Sequence, residues 1–90
     1  MTSIEAKELY YQALEKWGFS AQALMVIEEC SELTNTLCKF SRGRVNEDDI
    51  ITEIADVIIM CEQIATYFGE VKVEIEKDRK LQRLKERLNK

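Results

Sequence analysis

Four carboxylates stand in two pairs on segments that are otherwise apolar. The first pair is Glu29 and Glu32 in the stretch VIEECSEL, and the second is Glu53 and Asp56 in ITEIADVI. The acids of each pair are three residues apart, so on a helix they would occupy neighbouring surface positions. Carboxylates are ligands that the hard cations Mg²⁺ and Mn²⁺ prefer. A divalent metal site is therefore the first chemistry to consider.

The direction of each acid can be read from a helical rotation of about 100° per residue. Each segment carries an apolar stripe about 40° to either side of a reference residue, which is Val26 in the first and Ile50 in the second. The first acid of each pair lies roughly −60° from that reference and the second roughly −120°. The acids are thus predicted on one flank of each core stripe. The predicted stripes are Val26, Cys30, Leu33, Leu37 and Phe40, and Ile50, Ile54, Val57, Cys61, Ile64 and Phe68.

The two flanks can converge if the helices pack as an antiparallel hairpin. Four carboxylates would then lie close together, and like charges at short range raise one another's pKa and oppose folding unless a cation intervenes. Mg²⁺ would retain water ligands and accept oxygens from a phosphate substrate. The alternative interpretation is that the acids are solvated groups on two amphipathic helices, which is the commoner arrangement for any single pair.

Other catalytic architectures are excluded by composition. The chain has no histidine, whereas ferritin-like di-iron bundles and the usual zinc sites need histidine or closely spaced cysteines. The acid-rich stretch NEDDIITEIADV lacks the central glycine of an EF-hand, and no glycine-rich phosphate loop occurs. Without a histidine base for a hydroxyl or thiol nucleophile, metal-activated water is the remaining hydrolytic route.

Composition also bounds the class of protein. Ninety residues predict a single domain, 1–90, whose small core would be shared with a second copy. The net charge of −4 argues against binding a nucleic-acid polymer. No apolar run is long enough for a membrane span, and no signal-peptide pattern occurs. Three cysteines without a close pair predict reduced thiols and a cytoplasmic location.

The absence of proline and the three glycines predict long helices with few breaks. Helix starts are predicted at a capping box that begins with Thr2, at Ser20 and at Asn46. The tail alternates at first as a strand would, but its strong helix formers favour a helix that begins within 70–75. The fold class is therefore all-α: a small bundle of about four helices, built on an antiparallel acidic hairpin and assembling as an oligomer.

Two longer stretches, WGFSAQALMVIEECSELTNTLCKFSRG and EIADVIIMCEQIATYFG, resemble the MazG-like family of all-α nucleoside triphosphate pyrophosphohydrolases. The likeness rests on the motifs ECSEL at 29–33 and EIADV at 53–57, with Trp17 and Gln22 upstream. It implies Mg²⁺-dependent hydrolysis of a nucleoside triphosphate, including deoxy or non-standard ones, to the monophosphate and pyrophosphate. It also implies a homodimer or homotetramer.

The resemblance assigns roles to the four acids. Glu29, Glu32, Glu53 and Asp56 are implied as ligands of Mg²⁺, for which Mn²⁺ would substitute. Glu29 and Glu53 are assigned as catalytic residues as well, and Glu29 is the candidate for orienting the attacking water.

Four further positions are candidate substrate contacts, each with a plainer alternative. Gln22 is either a contact to the base or ribose or a packed amide, and Trp17 either stacks on a base or packs in the core. Lys80 and Arg83 resemble the family's basic tail and would bind phosphates, within one chain or across a subunit boundary. Alternatively, Lys80 forms a surface ion pair with Glu76.

Besides an enzyme, the sequence is compatible with two other functional classes. One is a helical interaction module, whose acids are solvated and whose leucine-rich tail docks a partner. The other is a family member that binds nucleotide without hydrolysing it.

Overall fold

The computed structural model describes residues 1–90, and nearly all of them lie in helices. The predicted all-α class and the four helices are confirmed, and there are no strands. No helix is long and apolar enough to cross a membrane. The helices are α1 (Ser3–Trp17), α2 (Phe19–Ser41), α3 (Glu47–Phe68) and α4 (Glu70–Leu88).

Two of the predicted helix starts are confirmed by their caps. The Thr2 side chain accepts a hydrogen bond from the backbone N–H of Glu5 at 3.1 Å, which caps α1. At the start of α3, Asn46 and Asp49 form a complete capping box with bonds of 3.0 and 3.1 Å. Both caps satisfy backbone N–H groups that have no partner within the helix.

The predicted cap at Ser20 is wrong, because α2 begins at Phe19 and has no side-chain cap. Gly18 alone separates α1 from α2, and Gly69 alone separates α3 from α4. Their φ angles are 84° and 113°, in a region that glycine adopts without steric strain. A single glycine therefore both ends one helix and begins the next. The tail helix starts at Glu70, the first residue of the predicted range.

Helix α3 is central, since it packs against each of the other three. The hydroxyl of Tyr10 in α1 donates to Glu62 in α3 at 2.6 Å. Phe19 stacks on Tyr67 with ring centroids 4.4 Å apart, which joins the start of α2 to the end of α3. The first contact ties α1 to α3, and the second ties the start of α2 to the end of α3, the two helices that bear the acidic motifs.

The interior of the single chain is small and polar. Only three side chains are buried, Gln22, Gln63 and Thr66, and no apolar side chain is among them. The chain exposes 7181 Å², whereas a compact monomer of this mass exposes about 5,400 Å². About 1,750 Å² of surface that a compact monomer would bury therefore remains accessible.

Much of the predicted core stripe is part of that accessible surface. Leu37, Phe40, Ile54 and Phe68 are each roughly half exposed. The prediction that this stripe forms a packed core does not hold within one chain. The half-buried side chains of α2 and α3 include part of the stripe, such as Val26 and Val57, and extend from it to the acidic flank, where Glu29 is half-buried as well.

Candidate metal centre

Three of the four predicted acids meet between α2 and α3. Glu29 in α2 and Glu53 and Asp56 in α3 each have a carboxylate oxygen within 4.8 Å of the other two. All three side chains are partly buried. Acids far apart in the sequence are thus gathered at one place by the packing of two helices.

The position of Glu29 follows from the face that α2 turns toward α3. Val26, Glu29 and Leu33 are half-buried along this face, spaced three and four residues apart as one side of a helix requires. Cys30 and Leu37 belong to the predicted core stripe but are exposed. Glu29 therefore lies within the contact between the two helices, whereas the sequence predicted it only on the flank of the apolar stripe.

Glu32 occupies the rim of the cluster. Its side chain is exposed, and it does not belong to the group of three close carboxylates. Its charge nevertheless helps to raise the pKa of Glu29 and of Glu53. The additional turn of roughly −60° relative to Glu29 carries Glu32 past the edge of the contact.

Two oxygens in the cluster are buried and have no hydrogen-bond partner, Oε2 of Glu29 and Oε2 of Glu53. Burial is the main cause that raises the pKa of both carboxyl groups, and the neighbouring carboxylates raise it further. None of the ion pairs in the chain involves these acids. Buried oxygens without a donor or a cation oppose folding.

This donor set fits a hard divalent cation. In an octahedral site with metal–oxygen distances of about 2.1 Å, neighbouring ligand oxygens are about 3 Å apart and opposite ones about 4.2 Å. The observed separations, all within 4.8 Å, are close to those values. One oxygen from each of three acids would leave up to three positions for water or phosphate.

Comparisons with known proteins identify no relative. No protein-family model, curated protein or solved structure matches the chain. The chemistry of the centre is therefore inferred from its own side chains, and the resemblance of the two acidic motifs to MazG-like proteins stays a prediction.

Two of the candidate substrate residues lie on either side of the junction between α1 and α2. Trp17 is exposed at the end of α1, with the ammonium of Lys16 5.3 Å from its ring centroid. Gln22 is buried in α2, where its Oε1 accepts a hydrogen bond from Nε2 of Gln63. Their roles as base contacts stay predictions.

The other two candidates, Lys80 and Arg83, are exposed on α4. Neither forms an ion pair with an acid of the cluster. The alternative pairing of Lys80 with Glu76 is present at a separation of 4.0 Å.

Sequence reasoning missed Gln63, which is the most buried side chain of the chain. The available signal was a long polar side chain within the apolar run ADVIIMCEQIA, seven residues after Asp56. Cys61, two residues earlier, has its thiol pKa raised by burial and then by the adjacent Cys30. A raised pKa disfavours the thiolate, which is the nucleophilic form of cysteine.

Proposed function

We propose that the chain hydrolyses a nucleoside triphosphate between its α- and β-phosphates, releasing the monophosphate and pyrophosphate. The reaction would depend on Mg²⁺, with Mn²⁺ as a substitute. The observation that carries the proposal is the pair of buried, unpartnered oxygens on Glu29 and Glu53 beside Asp56. This arrangement supports cation binding, and the choice of reaction follows from the likeness of both acidic motifs to MazG-like enzymes.

In this proposal α2 and α3 form an antiparallel hairpin that holds Mg²⁺ with Glu29, Glu53 and Asp56, and with Glu32 at the rim. Bound Mg²⁺ would polarise the α-phosphate and lower the pKa of the attacking water. Glu29 accepts a proton from that water while the water oxygen attacks the α-phosphorus. The bond from phosphorus to the bridging oxygen then breaks, and pyrophosphate leaves. Glu53 would help to fix the geometry of the centre from the opposite helix.

A homodimer or homotetramer is the proposed assembly. The accessible surface beyond that of a compact monomer, about 1,750 Å² per chain, lies within the range that obligate interfaces bury on each partner, about 1,000–2,500 Å². Charge is also divided along the chain, with seven basic and two acidic residues in 77–90 against six basic and fifteen acidic in 1–76. The basic end of α4 in one copy is thus suited to the acidic body of another.

The same assembly gives the tail a role in substrate binding. Lys80 and Arg83 of a second copy would supply the positive charge for phosphates that the carboxylate cluster lacks. Trp17 and Gln22 remain the proposed contacts to the base or ribose. Nucleic-acid polymers are not proposed as partners, and the three free cysteines support a cytoplasmic location.

A second candidate function is a helical interaction module, which the exposed leucines of α4 favour. Leu81, Leu84 and Leu88 lie on one side of a helix whose residues from Val71 onward are all exposed. Such a module would need no metal for stability and would show no turnover. A member that binds nucleotide without hydrolysing it would show metal-dependent binding only.

The test is pyrophosphate release from a panel of ribo- and deoxyribonucleoside triphosphates, with Mg²⁺, with Mn²⁺ and with a chelator. We expect release only with metal, and none from the Glu53→Gln variant. Glu28→Gln is the matched control, because Glu28 is exposed and lies outside the cluster. Release without metal, or equal release from Glu53→Gln, would overturn the proposed mechanism.

A further inference from the structure

The most enclosed side chains of the chain are two glutamines that meet across α2 and α3. Nε2 of Gln63 donates to Oε1 of Gln22, and the two side chains are only 5% and 7% exposed. Elsewhere on these helices, apolar side chains keep more of their surface in contact with solvent. A directional hydrogen bond therefore lies where helix pairs usually have interchangeable aliphatic contacts.

The glutamines are spaced evenly from the acids of the cluster. Gln22 lies seven residues before Glu29 on α2, and Gln63 lies seven residues after Asp56 on α3. Seven residues make nearly two full turns, so each amide shares a helix face with its acid, about 10.5 Å away along the axis. One and the same alignment of α2 on α3 thus brings the amides together and the carboxylates together.

Apolar contacts alone would define this alignment weakly. No apolar side chain of the chain is fully buried, and aliphatic residues recur along both helices at helical spacing. A slip by one turn, about 5.4 Å, would exchange one aliphatic contact for another. The same slip would part the two amides and leave them buried without partners, which is strongly unfavourable. Single buried polar residues set the register of coiled coils for this reason.

We propose that Gln22 and Gln63 are positioning residues, whose hydrogen bond sets the register at which Glu29 meets Glu53 and Asp56. The inference rests on the proposed metal centre and adds a determinant of its affinity two turns away. The amides touch neither the cation nor the reacting atoms. They act through the alignment of the helices that carry the ligands.

The test compares cation affinity with stability in the double variant Gln22→Met/Gln63→Met. Methionine is close to glutamine in length, and changing both partners leaves no orphaned amide. We expect the melting temperature with chelator to stay equal or to rise. The dissociation constant for Mn²⁺, measured without nucleotide from the electron paramagnetic resonance signal of the free ion, should rise about tenfold or more, as for other residues that orient metal ligands.

Two controls separate positioning from general damage. Gln22→Glu keeps an acceptor oxygen for Nε2 of Gln63 and should retain most of the Mn²⁺ affinity, whereas Gln22→Met should not. Asn35→Met/Thr52→Met changes exposed residues on the same two helices and should leave the affinity unchanged. If the double variant does not fold, the two single variants at position 22 still decide the question, with circular dichroism as the check on folding.

The outcomes distinguish this inference from the proposal beneath it. If the natural chain binds no Mn²⁺, the metal centre is wrong and the positioning role is wrong with it. If the natural chain binds Mn²⁺ and the double variant binds it equally well, only the positioning role is overturned. Lower stability with unchanged affinity would also overturn it, because that result assigns the glutamines to packing alone.

Discussion

Exchanging Glu29 or its neighbour Glu28 for glutamine gives two variants with the same change in charge and size at adjacent positions. Glu29 is the only one of the three close carboxylates that α2 supplies, whereas Glu28 is exposed and lies outside the cluster. Without Glu29, the two remaining close carboxylates both belong to α3, and a cation bound to them would not tie the two helices together. Glu29→Gln should therefore uncouple metal binding from folding, and Glu28→Gln should not.

The size of the effect follows from mass action. A cation present at about 100 times its dissociation constant adds about 2.7 kcal/mol to the free energy of unfolding. In a domain of this length, each kcal/mol shifts the melting temperature by about 4–8 °C, so saturating Mn²⁺ should raise it by about 10–20 °C. In Glu29→Gln most of that rise should disappear. With chelator the same variant should melt above the natural chain, because it lacks one of the repelling buried charges.

The assay is a thermal melt of the natural chain and both variants, first with chelator and then across a Mn²⁺ titration. If Mn²⁺ raises the melting temperature of all three proteins equally, the assignment of Glu29 as a ligand that joins the helices is refuted. If both variants lose the increase in melting temperature to the same extent, bulk negative charge attracts the cation, rather than the geometry of the cluster.

Three further predictions concern stability. Tyr10→Phe removes the hydrogen bond to Glu62 and should lower the free energy of unfolding by about 1–2 kcal/mol, measured by chemical denaturation. Tyr11→Phe changes an exposed side chain and should alter the same free energy by less than about 0.5 kcal/mol. Asn46→Ala removes the cap of α3 and should cost about 1 kcal/mol in the same assay. Because both buried carboxyls of the cluster have raised pKa values, the metal-free chain should gain stability as the pH falls from 7 through those raised values, and the gain from these groups is complete below their ordinary value of 4.5.

Each of these predictions has an outcome that contradicts it. Equal losses in the two tyrosine variants would mean that the hydroxyl bond to α3 contributes nothing. An unchanged free energy of unfolding in Asn46→Ala would mean that the capping box does not hold the start of α3. The pH effect requires melts with chelator and with saturating Mn²⁺, and a gain on acidification that persists in metal would place its origin outside the cluster.

The parts of the fold that the sequence predicts well are those decided by a few neighbouring residues. The caps at Thr2 and Asn46 depend on side chains three residues from the N–H groups they satisfy, so the local pattern is sufficient. The breaks near Gly18 and Gly69 follow from positive φ angles that other residues adopt with difficulty. The cap at Ser20 was mispredicted because a single glycine proved enough to separate two helices.

The candidate site shows where local reasoning ends. Helical rotation placed Glu29, Glu32, Glu53 and Asp56 on corresponding flanks of their helices, because the angle of a residue depends only on its own helix. Three of these acids lie close together, and Glu32 does not. Which face of a helix meets its neighbour depends on the packing of the whole bundle, so the burial of Glu29 and the exposure of Leu37 were not predictable. The pairing of Gln22 with Gln63 has the same origin, since it requires the relative position of two helices.

The single-residue junctions at Gly18 and Gly69 limit how this chain can change its length. One residue added or removed within α1–α2 or α3–α4 would rotate everything beyond it by about 100° and turn each face away from its neighbour. The connection 42–46 between α2 and α3 is the one junction longer than a single residue. We therefore expect the fold to tolerate insertions and tags at 42–46 or at the chain ends. Elsewhere, a change in length should disrupt the packing of the helices.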